Sequence, residues 1–358
     1  MQLLPGSRSK SGILLGITLC VVTPSVGLAA EIDLGREPFD PVAKGELPQY
    51  IFFNKSPTHP DPMRWTEKEP NSFSPASCEE IPRLVGTRGH ARLRVGVSYP
   101  FSLLEYSPEQ LSRCIATLLD SACSSDVPVL ITLDGQNWWE SRSDLWNWWD
   151  ENLPGFDPAN RGNVEWTAWG PQHAVKIGWR NWGQQIRVRP APNIASRRFL
   201  AEHWKAYDAI VPLIARWYRD LPKERKYLFG GLKVGWEASI NVNAYHYPGG
   251  NKIFEQSPMD SSKDPIDHER AMGWKEGRPM LGYAASSTEK IRTSGKLTVE
   301  DVGEVVHRYL ERLSRAAVKR GIPKHLVFTH QGGTYAPWDK HLSFKPAMNR
   351  SEEHTSEL

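Results

Sequence analysis

Short apolar strands alternate with amphipathic helices along this 358-residue chain, and polar and aromatic residues collect where the strands end. Together these patterns predict an α/β fold, a (β/α)8 TIM barrel of which about five of eight strands are present. No glycine-rich phosphate loop follows the first strand, which argues against a dinucleotide-binding open sheet.

The two ends read differently from the middle. Arg8 and Lys10 precede the apolar stretch Gly12–Val22, and small residues follow up to Ala30, so residues 1–30 read as a secretory signal peptide cleaved after Ala29 or Ala30. The segment is too short for a membrane anchor, and the mature chain is expected to be secreted or periplasmic. Residues 31–89, rich in proline and turn formers, read as an N-terminal arm, with one apolar run at Tyr50–Phe53 that could form a strand ahead of the main fold. The barrel is expected over residues 90–349. Residues 350–358 (RSEEHTSEL) read as a translated sequencing adapter, which leaves the natural sequence interrupted after Asn349.

Strand one is expected at Arg92–Ser98, where Leu93, Val95 and Val97 alternate with polar or small residues. Ser107, Pro108 and Gln110 supply an N-cap, a first-turn proline and a capping-box residue for a helix with Leu111, Ile115, Leu118, Leu119 and Ala122 on one face. Val127–Leu133 is a nearly all-apolar second strand, as a strand covered on both faces requires. A long loop to about Pro171 follows. Val175, Trp179 and Trp182 have helical spacing, and Gln185–Val188 reads as a weak third strand. Ser196 caps a long helix facing inward through Phe199, Leu200, His203, Trp204, Tyr207, Ile210, Val211 and Ile214, with a kink expected at Pro212. Tyr227–Trp236 is the fourth strand, with Gly230 and Gly231 where it passes close to its neighbours. Thr298 opens the last helix, and Leu326–Thr329 is the fifth strand.

Composition narrows the function. The net charge is +3 with charges interspersed, so neither nucleic acid nor an anionic membrane is an expected partner. Cys78, Cys114 and Cys123 match no metal-binding spacing; in an oxidising compartment they allow one disulfide and one spare thiol. No metal or cofactor is expected. Of 15 tryptophans, Trp138, Trp139, Trp146, Trp148, Trp149, Trp166, Trp169, Trp179 and Trp182 crowd the stretch after strand two. Flat indoles fit the C–H faces of sugar rings while Asp134, Asn137, His330 and Gln331, all at strand ends, fit their hydroxyls. The alternative is that the tryptophans fill a core beneath the loop. Glu237, directly after Trp236 at the end of strand four, is a candidate general acid/base; its alternative is a structural ion pair with an Arg or Lys. Glu140 and Glu165 are further acids near the expected mouth.

Secretion, the barrel pattern, the aromatic loops and a glutamate closing strand four resemble the large clan of retaining (β/α)8-barrel glycoside hydrolases. The resemblance covers about residues 90 to 335 and rests on pattern. It implies that Glu237 is the acid/base and that the nucleophile, a second glutamate at the end of strand seven, lies beyond Asn349. With the aromatic loops and polar strand ends, this leads to the expectation of an oligo- or polysaccharide substrate with β-linkages, contacted by Asp134, Asn137, Trp138, Trp139, Trp166, Trp236, His330 and Gln331. Where the clan usually has asparagine before the acid/base, this chain has Trp236. The rival reading is a secreted carbohydrate-binding protein without turnover. Neither a Gly-x-Ser-x-Gly elbow nor a His-Glu-x-x-His site occurs, so other hydrolase chemistries lack support.

Overall fold

A parallel sheet of five strands curls into half a barrel, with helices packed on its outer face. The computed structural model describes residues 20–22, 49–55, 73–90, 92–136, 139, 141–176, 178–181, 185–188, 190–236, 238–240, 280–329 and 347–348. In chain order the elements begin with β1 (Cys20–Val22), β2 (Gln49–Asn54), α1 (Pro75–Val85), β3 (Leu93–Ser102), α2 (Pro108–Ser125), β4 (Val129–Asp134) and α3 (Ser143–Trp146). They continue with β5 (Gly178–Asn181), β6 (Gln185–Val188), α4 (Arg197–Asp220), β7 (Phe229–Val234), β8 (Ser239–Ile240), α5 (Tyr283–Thr288), α6 (Val299–Lys319), β9 (Val327–Thr329) and β10 (Ala347–Met348).

The parallel strands run in the order β2, β3, β4, β7, β9, with β1 added antiparallel on the outer edge of β2. The helix starts follow from local chemistry. Ser107 and Gln110 form the reciprocal capping box of α2, Thr298 and Asp301 that of α6, and the Ser196 hydroxyl accepts from the Phe199 amide at the head of α4. Each cap contributes about 1 kcal/mol by satisfying amides that the helix cannot. The α4 helix continues through Pro212 as far as Asp220.

Two expectations change. Residues 49–85, read as part of an arm, supply the first strand and first helix of the sheet: β2 pairs in parallel with β3 over six residues. Gln185–Val188 is not a barrel strand, and the helix expected near Trp179 does not form. Instead β5 and β6 pair with each other as an antiparallel ladder. Three aromatic or apolar residues at helical spacing were too few to outweigh a ladder of four residues on each side. The sheet still has five parallel strands, with β7 fourth, but its membership differs.

Alternation along the strands divides the protein into two apolar layers. Val97, Tyr99 and Phe101 of β3, Ile131 and Leu133 of β4, and Leu232 and Val234 of β7 face the helices and pack with Leu111, Ile115, Phe199, Ile210, Val306 and Leu310. On the concave face, Phe52 plugs the floor. A Cβ on Gly96 would lie 2.7 Å from its ring and one on Gly230 only 2.0 Å, so both glycines make room for one phenylalanine. The register of β4 against β7 shifts at Val129/Leu130, and Gly231, at φ 136°, leaves the space that Phe328 fills. The crowding expected at Gly230 and Gly231 is therefore real.

The segment after β4 is compact. Its interior is held by asparagine side chains: Asn163 Nδ2 donates to Leu145 O at 3.0 Å, Asn160 Nδ2 to Asn147 O at 3.0 Å, and Asn193 Nδ2 to Gly162 O at 2.9 Å. These amides supply the partners that a loop without ladders lacks.

Candidate functional site at the carboxyl edge of the sheet

Above the Phe52 floor the concave face turns polar. Ser98 on β3 and Thr132 on β4 share a hydrogen bond of 3.1 Å between their hydroxyls. Lys233 on β7 stands opposite Thr132 in register, with Phe328 of β9 on its other side. All three polar residues are buried, Lys233 at 7% exposure. One step further toward the carboxyl edge, Asp134 pairs in register with Ser102 and is fully buried. The interior of a parallel barrel is usually filled by branched apolar side chains, so a hydroxyl pair, an ammonium and a carboxylate here form a polar lining.

The carboxyl ends of β4 and β7 are joined twice. The Trp236 amide donates to Leu133 O at 3.2 Å, and the Gln136 side chain bonds both backbone groups of Ser239. Asp134 Oδ1 accepts from the Gln136 amide at 2.7 Å, closing a tight turn. Trp236 is half-buried, with the Lys233 ammonium 6.0 Å from its ring centroid. Asp134, Lys233 and Trp236 thus converge on one rim.

Behind that rim is a buried polar pair. His203 Nδ1 lies 2.9 Å from Phe199 O, and since a carbonyl only accepts, that nitrogen carries the proton. Burial pushes the His203 pKa down to about 4, so the ring is neutral and its Nε2 accepts from the Tyr309 hydroxyl at 3.2 Å. Both side chains press on Gly135, where an added Cβ would meet His203 Nε2 at 2.0 Å and Tyr309 Oη at 2.7 Å. Burial drives the Tyr309 hydroxyl well above the ordinary tyrosine range, with further contributions from Tyr207 and Asp134.

Of the residues expected to form the site, Asp134 and Trp236 come together. Glu237, Asn137, Trp138, His330 and Gln331, and with them Glu140, lie outside the described residues. Trp139 does not line the mouth: it is 2% exposed, edge-on to Phe199 at 5.6 Å, and belongs to the core. Trp146 and Trp148 are buried with it and Trp149 packs against both, so this part of the tryptophan run fills the interior of the loop segment. Trp166 is half-buried, its indole N–H donating to Arg161 O at 2.7 Å; no contact joins it to Asp134 or Trp236 among the described residues.

Glu165 is a structural residue rather than an acid of the mouth. It is fully buried and accepts from the amides of Gly282 at 3.0 Å, Ala284 at 3.2 Å and Ala285 at 3.3 Å at the start of α5. Burial raises its pKa to about 7, against the downward pull of these amides and that of Trp166.

Ser98, Thr132, Lys233 and Gln136 were not singled out from sequence. The signal for the first two was the alternation that also puts Asp134 on the concave face. A lysine inside the apolar run FGGLKV was the signal for the third. Among the described residues no group of three or more His, Cys, Asp and Glu could hold a metal ion, and no helix is long and apolar enough to cross a membrane.

The fold and rim define an α/β protein with a polar site at the carboxyl edge of a parallel half-barrel sheet. No protein-family model matches the chain, and no curated protein matches it in sequence.

Proposed function

We propose that this protein is a glycoside hydrolase, exported from the cytoplasm, that cleaves β-linked glycans at the carboxyl edge of the sheet. The observation that carries the reading is the convergence of Asp134, Lys233 and Trp236 on one rim above the Ser98–Thr132 hydroxyl pair. A sugar presents hydroxyls around an apolar ring, and this rim offers both kinds of partner.

In this mechanism Glu237 protonates the glycosidic oxygen as the bond to the anomeric carbon breaks. A second carboxylate about 5 Å away attacks that carbon, and water activated by Glu237 then releases the sugar. Asp134 binds substrate hydroxyls. Its Oδ1 accepts from the Gln136 amide at 2.7 Å, so the carboxylate is held in its own turn, and the nucleophile is assigned elsewhere. The second carboxylate, by the resemblance, belongs to a later strand.

The test is hydrolysis of a β-glycan panel by the full-length protein and its Glu237→Gln and Asp134→Asn variants. The reading expects Glu237→Gln to lose at least about a thousandfold in kcat while still binding, in line with loss of a group that acts in the transition state. Glycan binding without turnover by the wild type would instead favour a carbohydrate-binding protein on the same scaffold.

A further inference from the structure

A cleft of about 570 Å³ opens in the segment between β4 and α4, lined by Trp148, Pro158, Ala159, Arg161, Pro171 and Gln172. Its charge is one-sided. Arg161 is the charged residue of the lining, and Lys176 adds a second cation 5.5 Å from the same Trp148 ring. The Arg161 guanidinium lies 4.7 Å from the Trp148 ring centroid. Arg161 has no carboxylate partner among the described residues; its carbonyl accepts from the Trp166 indole N–H.

The neighbouring arginines behave otherwise. Arg142 pairs with Asp144 at 2.9 Å and with Glu202 at 3.1 Å, and Arg198 reaches Asp157 at 3.4 Å. An arginine held against an indole keeps its N–H edge in place with little further loss of freedom, which suits bidentate binding of a planar or tetrahedral anion. Trp148 is itself fixed, because its indole N–H donates to Val175 O at 3.0 Å. Around the cation, Pro158, Ala159 and Pro171 give the cleft apolar walls, and Gln172 donates its amide to Trp169 O at 3.2 Å, leaving its side-chain oxygen to accept.

We infer that this cleft binds an anionic sugar unit, one bearing a carboxylate or a sulfate, with Arg161 holding the anion. The anion follows from the geometry of Arg161 alone; that it is carried on a sugar rests on the proposed function. The cleft would then select acidic glycans and anchor them away from the rim where cleavage occurs.

Binding of an oligogalacturonide, a sulfated galactan oligosaccharide, neutral cellohexaose and polyglutamate is measured by calorimetry on the wild type, Arg161→Gln and Ala159→Glu. Ala159 is exposed, so its variant adds a competing carboxylate without disturbing the core. The wild type is expected to bind one of the acidic oligosaccharides at least tenfold tighter than cellohexaose and polyglutamate, and both variants are expected to lose that preference. Whichever acidic oligosaccharide wins identifies the anion as carboxylate or sulfate. Equal affinity for charged and neutral glycans, a preference that survives both substitutions, or equal binding of polyglutamate overturns the inference. Hydrolysis is scored separately: an Arg161-dependent preference without turnover removes the hydrolase and leaves the cleft, whereas turnover of neutral glycans with no acidic preference does the reverse.

Discussion

Gln136 closes two hydrogen bonds on the backbone of Ser239, its Nε2 donating to the carbonyl at 2.5 Å and its Oε1 accepting from the amide at 2.9 Å. A side-chain amide here does what a neighbouring strand would do, and it ties the ends of β4 and β7 where their ladder stops. Gln136→Leu keeps the volume but leaves both Ser239 groups without these partners. It is expected to lower stability by about 1–2 kcal/mol, on the scale of two lost hydrogen bonds, read as a fall in the urea midpoint at unchanged slope.

Gly135→Ala is expected to be disruptive for a different reason. The new methyl would collide with His203 and Tyr309, two fully buried rings with no room to retreat. Overpacking of this kind costs about 1–3 kcal/mol. Tyr309→Phe removes the hydroxyl, one of the three atoms within 3 Å of the new methyl, so the double variant should lose less stability than the two single changes summed, and a double-mutant cycle measures the difference.

Two buried groups give opposing pH dependences. His203 has a lowered folded pKa of about 4, so its contribution is fully present above the unfolded value of about 6.5 and is lost as the pH falls toward 4. Glu165 has a raised folded pKa of about 7, so its contribution is present below the unfolded carboxyl value of about 4.3 and is lost as the pH rises through 7. Between these limits the two slopes partly cancel. Glu165→Gln removes the descending one, and its stability should therefore climb with pH more steeply than that of the wild type in urea titrations from pH 4.5 to 7.

The cysteines give a chemical check. Cys78, Cys114 and Cys123 are all free thiols in the structure, where the sequence left a disulfide open. Burial pushes Cys78 up to about 11 and Cys114 up to about 12, so neither is a ready thiolate at neutral pH. Thiol reagent at pH 7.5 should label Cys78 only on unfolding, because its side chain is wholly buried. Native labelling of Cys78 at the rate of a free thiol would contradict this packing.

Much of the fold was legible because its signals are local. The capping boxes at Ser107 and Thr298, and the apolar faces of α2, α4 and α6, each lie within one turn or one period of sequence. The glycines Gly230 and Gly231 also announced a close approach, though not that Phe52 and Phe328 would be the intruders. What was hidden is tertiary. Tyr50–Phe53 looked detached because a sequence rich in proline and turn-forming residue types separates it from the next apolar run, yet parallel pairing with β3 makes it part of the sheet. The tryptophan run likewise reads the same whether it faces a ligand or a core. Burial of Trp139, Trp146 and Trp148 decides for the core, and only the partners around each indole carry that information. At the site, Asp134 stood out as a charge at a strand end, whereas Ser98 and Thr132 gain meaning only once their hydroxyls meet across two strands.

The central claim is glycosidic cleavage at the carboxyl edge of the sheet, with Glu237 as acid/base. Its most direct test is reducing-sugar release from β-linked glycans by the full-length protein, wild type against Glu237→Gln, at matched protein and substrate. The account predicts release by the wild type and its loss, by at least about a thousandfold, in the variant, with glycan binding retained. Undiminished release by Glu237→Gln, or a wild type that binds glycans and never cleaves them, would contradict it.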